Sequence, residues 1–204
     1  MINEINIENF KSFKKLNIKG FKRINLIAGM NGAGKTTLLE IINKTLTGND
    51  FSKNTTYNYH YYIKELISRI KSIFPYSSEE MMMQGILSGS EEEISRIIGQ
   101  IYYGNDKAYF FDTIEKSLHY TVMKKVWKVI FELSIEKNVQ IFSTSHSQEM
   151  IAAFAECCLE NNWEEDGAYF EMSKNNKTGK IGVANLTIEF LDKKIKHDNG
   201  FRGE

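Results

Sequence analysis

The chain has 204 residues, of which 42% are hydrophobic and 25% charged, and it includes 13 Phe, 10 Tyr and 2 Trp. That composition excludes global disorder and sets the expectation of one globular domain with its own core. Lysine plus arginine number 26 against 26 acidic residues, which disfavours a strongly basic nucleic-acid binder and leaves room only for a local patch. The two cysteines, Cys157 and Cys158, are adjacent, so neither a disulfide framework nor a cysteine metal cluster follows. No apolar run approaches the roughly 18 residues of a membrane span, and Met1 to Phe10 lacks the apolar core of a signal peptide. The expected setting is the reducing cytoplasm, with no membrane partner.

In chain order, the alternation of Ile2, Ile5 and Ile7 with polar residues predicts an edge strand, and Leu16–Ile18 a second short one. Ile24 to Ala28 is a short apolar run ending at a glycine, which predicts a buried strand. Thr37 to Leu46 has a helical apolar face, with Gly48 as its stop. Asn49 to Tyr59 is polar and predicts a loop, followed by helical spacing at Ile63, Leu66, Ile67, Ile70 and Phe74. Ser90 to Tyr103 predicts a helix whose start reads as a capping box of Ser90 and Glu93. Ala108 to Phe111 is a buried-strand run ending in Asp112. Val122 to Leu133 carries a strong amphipathic stripe, Val139–Ser143 a strand and Met150–Leu159 a helix. Tyr169–Met172 and Ile181–Ile188 predict strands joined by the turn Asn175 to Gly179, with a short helix at Phe190–Ile195. Strands alternating with helices predict an α/β fold with a largely parallel central sheet.

The strongest chemical signal is Gly29-Met30-Asn31-Gly32-Ala33-Gly34-Lys35-Thr36, which matches GxxxxGK[ST] at every fixed position. It follows a predicted strand and opens a predicted helix, the context that such a phosphate-binding loop requires. Glycines let the backbone curl so that successive N–H groups face phosphate oxygens. The helix start adds unpaired N–H groups and the positive end of its dipole. The expected nucleotide-binding set is Asn31, Gly32, Ala33, Gly34, Lys35, Thr36 and Thr37. Lys35 supplies a mobile cation, and the Thr36 hydroxyl is a candidate magnesium ligand.

Such a site needs an acidic partner for the metal at the end of a neighbouring strand, and Asp112 fills that place. Leu87-Ser88-Gly89-Ser90-Glu91 precedes a helix of about three turns leading toward Asp112. It resembles the LSGG signature loop of ABC-type ATPases, with Ser90 in place of the second glycine. The same residues also read as a plain helix cap. His146, just past the end of the next strand, is placed to reach a γ-phosphate, although a lone histidine there also reads as a surface or capping residue.

Together these motifs resemble the SMC/RecF/OLD branch of ABC-type P-loop ATPases. Ile7-Glu8-Asn9-Phe10-Lys11-Ser12-Phe13 is similar to the NFKSF opening of that branch. Asp112-Thr113-Ile114-Glu115 with Leu118-His119 resembles the DExE…LH segment of OLD-like ATPases, and Thr144-Ser145-His146-Ser147 their TTHS. Gly200-Phe201-Arg202 is similar to the end of that ATPase domain. The resemblance implies a single ATP-binding domain over residues 1–204, with residues 48–84 a shortened helical lobe, an N-terminal antiparallel β portion and flanking helices. It implies ATP and Mg2+ as cofactors, Lys11 among the nucleotide-binding residues, and Ser88 and Gly89 offered to the nucleotide of a second copy. ATP would then drive a head-to-tail homodimer that opens on hydrolysis. A separate effector protein and DNA stay open as partners, and the balanced net charge does not point to DNA. No Toprim nuclease domain follows in the sequence, and no glutamine stands where a magnesium-contacting loop is expected; Gln84 is too close to the signature.

One departure bears on catalysis. Thr113 stands where the family places its catalytic glutamate. If the strand continued through this turn, Thr113 and Glu115 would project to one side about 7 Å apart, from a rise of roughly 3.3 Å per residue. Glu115 is the nearest carboxylate by sequence and reaches only if the chain bends back; a structural salt bridge is its alternative role. The expected catalytic set is Asp112, Glu115 and His146, with slow turnover that Thr113→Glu would raise. The rival reading is a non-hydrolysing nucleotide-binding subunit of a nuclease or toxin complex. A transporter subunit is disfavoured by the shortened lobe.

Overall fold

Two sheets organise the chain. The computed structural model describes residues 1–48, 64–75, 89–175 and 177–200, with the side chains of 64–66 and 198–200 left aside. Strands β1 (Glu4–Phe10) and β2 (Phe13–Lys19) pair antiparallel as a hairpin. Five further strands form the central sheet: β3 (Ile24–Gly29), β4 (Ala108–Phe111), β5 (Gln140–Ser145), β6 (Gly167–Lys174) and β7 (Ile181–Leu186). Their spatial order is β4-β5-β3-β6-β7. The pairs β4–β5, β5–β3 and β3–β6 are parallel, and β7 runs antiparallel to β6. This is the α/β architecture expected, largely parallel with an N-terminal antiparallel portion.

Among the described residues the helices are α1 (Lys35–Thr47), α2 (Lys64–Ile73), α3 (Gly89–Tyr103), α4 (Tyr120–Glu136), α5 (Gln148–Asn161) and α6 (Ile188–Gly200). They cover the sheet on both faces, which is why β3 reads as an unbroken apolar run rather than an alternating one. Leu26 belongs to the core shared with α2 to α6, where Trp127, Phe131 and Phe154 are fully buried. Ile27, its neighbour, faces the other core with Leu38, Leu39 and Ile42 of α1 and Ile5, Ile7 and Phe13 of the hairpin. Each such fully buried side chain contributes about 1.5–3 kcal/mol, so both faces are held firmly. The indole Nε1 of Trp127 donates to the Met150 carbonyl at 3.0 Å, which satisfies the one polar group of that core residue.

Parallel pairing sets the site. Ala28, one residue before the end of β3, lies opposite Ser145, the last residue of β5. The loops leaving β3 and β5 therefore emerge side by side.

Several local expectations change. The Ser90–Glu93 capping box does not form: Gly89 opens α3, Ser90 Oγ donates to the Ser117 carbonyl, and Glu93 pairs with Arg96. The strand expected to run to Ile188 stops at Leu186, and Ile188 instead opens α6. The hairpin strands are longer than their sequence patterns because backbone pairing extends them through polar positions. The polar loop at 49–59, Ile63, the methionine triplet at 81–83, Gln84, Leu87, Ser88 and Phe201-Arg202 lie outside the described residues.

Candidate functional site

The loop between β3 and α1 is built on backbone conformations that only glycine adopts easily. Gly29 has φ 147°, and a Cβ there would stand 2.3 Å from the Met172 carbonyl oxygen of the adjoining strand. Gly34, the N-cap of α1, has φ 93°, and a Cβ there would come within 3.1 Å of Ile181 and 3.2 Å of Phe13. These two positions fix the curl of the loop and the close approach of β6, β7 and β2 to it. The Ala33 amide donates to the Met30 carbonyl at 3.2 Å, closing the turn, and Asn31 and Gly32 stand exposed at its crest.

Among the described residues no side chain caps the first turn of α1, and no acidic residue lies in that turn. Its leading N–H groups and dipole are thus available to an anion, with half-buried Thr36 and Thr37 on the opening turn. Lys35 folds back so that Nζ donates to the carbonyls of Gly29 and Met30, the latter at 3.0 Å. Burial pushes the Lys35 ammonium below the ordinary lysine value, while the Glu115 and then the Asp112 carboxylates pull it back up. Among the described residues Lys35 has no carboxylate in ion-pair contact, and such a cation is well suited to a polyanion.

Asp112 follows β4, which is not the strand beside β3: β5 lies between them. Its carboxylate nevertheless reaches the Thr36 hydroxyl, at 3.0 and 3.1 Å from the two oxygens. Thr144 of β5 bridges the gap, its Oγ1 donating to Asp112 at 2.7 Å and accepting from the Thr113 amide at 2.8 Å. A magnesium ion fits this donor set. Mg2+ takes oxygen ligands at about 2.1 Å and is held by few protein groups plus water and phosphate. A carboxylate and a hydroxyl 3.0 Å apart can occupy adjacent positions around it.

Beyond Asp112 the strand does not continue, so the expected same-side spacing of Thr113 and Glu115 does not apply. Thr113 takes φ 57° and Ser117 φ 62°, both in the left-handed region that costs a β-branched threonine dearly. Lys116 N–H bonds to the Thr113 carbonyl and Leu118 N–H to that of Glu115, each at 3.0 Å. The chain bends back and carries Glu115 inward, where its side chain is only 8% exposed. Glu115 Oε1 accepts from the His146 amide at 2.9 Å and lies 2.8 Å from His146 Nδ1. That second contact pairs Nδ1 with the carboxylate and leaves Nε2 as the other nitrogen of a half-exposed ring. Glu115 Oε2 is buried and has no hydrogen-bond partner among the described residues.

Asp112, Glu115, His146, Lys35 and Thr36 are therefore brought to one place. Lys11 is placed differently: its Nζ pairs with Glu40 Oε2 of α1 at 2.6 Å. Gly89 is exposed at the start of α3. Ser88 lies outside the described residues. Sequence reasoning missed Thr144 as the link between β4 and the loop, because that link depends on strand order. It also missed a groove of about 490 Å³ beside the phosphate loop, floored by Phe13 and Ile181 and rimmed by Lys14, Lys15, Thr178 and Lys180.

Known proteins resemble this chain in three ways. The AAA domain family matches residues 4–199. An ATP/GTP phosphatase of Helicobacter pylori is 50% identical over 42 residues, 21% of this chain and 11% of that protein. The DNA replication and repair protein RecF of Acinetobacter baylyi is 35% identical over 91 residues, 44% of this chain and 24% of RecF. The matched stretches thus span a quarter or less of the length of these two relatives. Among solved structures, the SMC head domain from Thermotoga maritima superposes with a TM-score of 0.61 at 12% identity, covering 90% of this chain and 98% of that one. An SMC head bound to the C-winged helix domain of ScpA gives 0.60 at 14% identity, covering 95% and 99%. An ATP-binding cassette of an ABC transporter gives 0.56 at 15% identity, covering 97% and 94%. At those identities the likeness is one of fold.

Proposed function

The chain belongs to the AAA domain family and has the P-loop fold of SMC heads and ATP-binding cassettes; from that premise we propose that it binds Mg-ATP and hydrolyses it, with Glu115 as general base. The observation that carries the reading is Glu115 itself. A carboxylate more than nine-tenths buried, anchored through one oxygen by His146 and with the other oxygen unpartnered among the described residues, is costly unless it has a task. Two non-glycine residues in left-handed conformations hold it there, and strain of that kind collects at functional sites.

In this reading the loop amides, the α1 N-terminus and Lys35 bind the phosphates. Thr36 and Asp112 hold Mg2+, which supplies charge neutralisation on the phosphate oxygens. Glu115 takes the proton of the attacking water, and His146 orients Glu115 while facing the γ-phosphate with Nε2. The groove beside Gly34 offers an apolar floor and three lysines to the remainder of the nucleotide. The output is conformational: two copies close head to tail over ATP, each offering Ser88 and Gly89 to the other, and hydrolysis reopens them. The Asp112-to-His119 segment supports a place in the OLD-like branch. The thiols of Cys157 and Cys158 are buried, and burial pushes Cys157 up to about 12, so neither is poised as a nucleophile. Among the described residues no helix is long and apolar enough to cross a membrane.

Phosphate release by the purified protein in Mg-ATP tests the proposal; release that Lys35→Ala eliminates supports it. A second reading, favoured by Thr113 standing directly after Asp112, keeps ATP as an unhydrolysed regulatory ligand of an effector complex. ATP binding without phosphate release would establish that reading instead.

A further inference from the structure

Ser90 occupies the position where the signature loop it resembles carries its second glycine. In the structure Ser90 is not a cap: its Oγ donates to the backbone carbonyl of Ser117. Ser117 lies two residues beyond Glu115 and has φ 62°, a conformation that turns the chain and directs that carbonyl toward α3. The tie therefore joins the first turn of α3 to the bend that carries Glu115. Among the described residues the bend also has the short-range bonds Lys116 N–H to Thr113 and Leu118 N–H to Glu115, the anchors of Thr113 and Ile114 to Thr144 on β5, and the contacts of Glu115 with His146. Residues 113 and 114 are thus fixed by β5, while the far end of the bend is tied to α3 through the Ser90 hydroxyl. A glycine at position 90 could not make this contact.

We propose that Ser90 is a positioning residue for hydrolysis: its hydroxyl holds the Thr113–Ser117 bend so that Glu115 stays aligned with His146, and it couples the start of α3 to the general base. This rests on Glu115 acting as the base. A displacement at the start of α3, such as docking of that segment on a second copy, is passed to Glu115 through one side-chain bond. Ser90 itself touches no reacting atom.

Two measurements on the intact chain test it, with Ser90→Ala, Ser90→Thr and Glu115→Gln made side by side. In steady-state phosphate release, Ser90→Ala should lower kcat about fivefold, the effect of losing one ordinary hydrogen bond, with KM for ATP changed less than about twofold. Ser90→Thr, which keeps the hydroxyl, should restore kcat. In amide hydrogen exchange on the nucleotide-free protein, Ser90→Ala should speed exchange at Lys116 and Leu118 about fivefold, and Ser90→Thr should not. Wild-type exchange at both amides in Ser90→Ala overturns the inference, whatever the turnover. Faster exchange with unchanged kcat overturns the catalytic coupling while Glu115→Gln still reports on the base. If Glu115→Gln retains wild-type kcat, the base assignment fails, and the coupling of Ser90 to hydrolysis fails with it.

Discussion

Replacing Glu115 by glutamine separates catalysis from architecture more cleanly than any other single change. The glutamine Oε1 can still accept from the His146 amide at 2.9 Å, so the bend keeps its anchor. Its Nε2 takes the place of Oε2, an atom that already lacks a partner among the described residues. A buried unsatisfied donor costs about 1–3 kcal/mol, offset by no longer burying a charge, so the net stability change is on the order of 1 kcal/mol. Proton abstraction, in contrast, is lost outright. A positioned base contributes about 10²–10⁴ in rate, or about 3–5 kcal/mol of barrier. The expected outcome is a fall in kcat of at least about a hundredfold, with the melting temperature and KM for ATP nearly those of wild type. Single-turnover hydrolysis of labelled ATP, with thermal unfolding in parallel, measures both. A Glu115→Gln protein that hydrolyses ATP at the wild-type rate would show that the buried carboxylate is structural and not the base.

Three further outcomes follow from the proposed function. Mg-ATP added to Glu115→Gln should double the mass seen by light scattering, and Ser88→Arg in that background should hold the monomer; a constant mass with and without ATP contradicts the two-copy closure. Thr113→Gly should raise the stability of the nucleotide-free protein by about 1 kcal/mol, since glycine adopts φ 57° without the penalty of a β-branched side chain; a loss in urea unfolding would mean the threonine side chain contributes more than its strain costs. Lys35 sets a pH dependence. Because burial lowers its folded value below that of the unfolded chain, the unfolded state binds the extra proton between the two values, and stability of the nucleotide-free protein rises with pH across that window. Lys35→Met should flatten that rise, and an equal slope in both proteins would contradict the assignment.

The phosphate loop was legible because its chemistry needs contiguous residues: the glycines, Lys35 and Thr36 must sit together in sequence to act together in space. Asp112 was legible as the polar end of an apolar run. Its reach to Thr36 was not, since β5 separates the two strands and Thr144 closes the distance. Glu115 was legible as a candidate but not as a placed group. Strand alternation keeps it apart from Asp112 and Thr36, and the left-handed turns at Thr113 and Ser117 bring it to His146. Neither residue is glycine, so no sequence rule announces those turns. Ser90 misled for a related reason: a serine three residues before a glutamate signals a cap, but the tertiary partner at Ser117 takes the hydroxyl instead. Lys11 pairs with Glu40 across the β1–β2 turn and α1, a contact that spacing does not reveal.

Whether the loop from Gly29 to Thr36 binds Mg-ATP is read by calorimetric titration of Mg-ATP into wild type and Lys35→Ala. One saturable site per chain is expected in the wild type and loss of most of the affinity in Lys35→Ala, with both proteins equally folded. Equal affinity in the two proteins, or no binding by the wild type, would contradict that expectation.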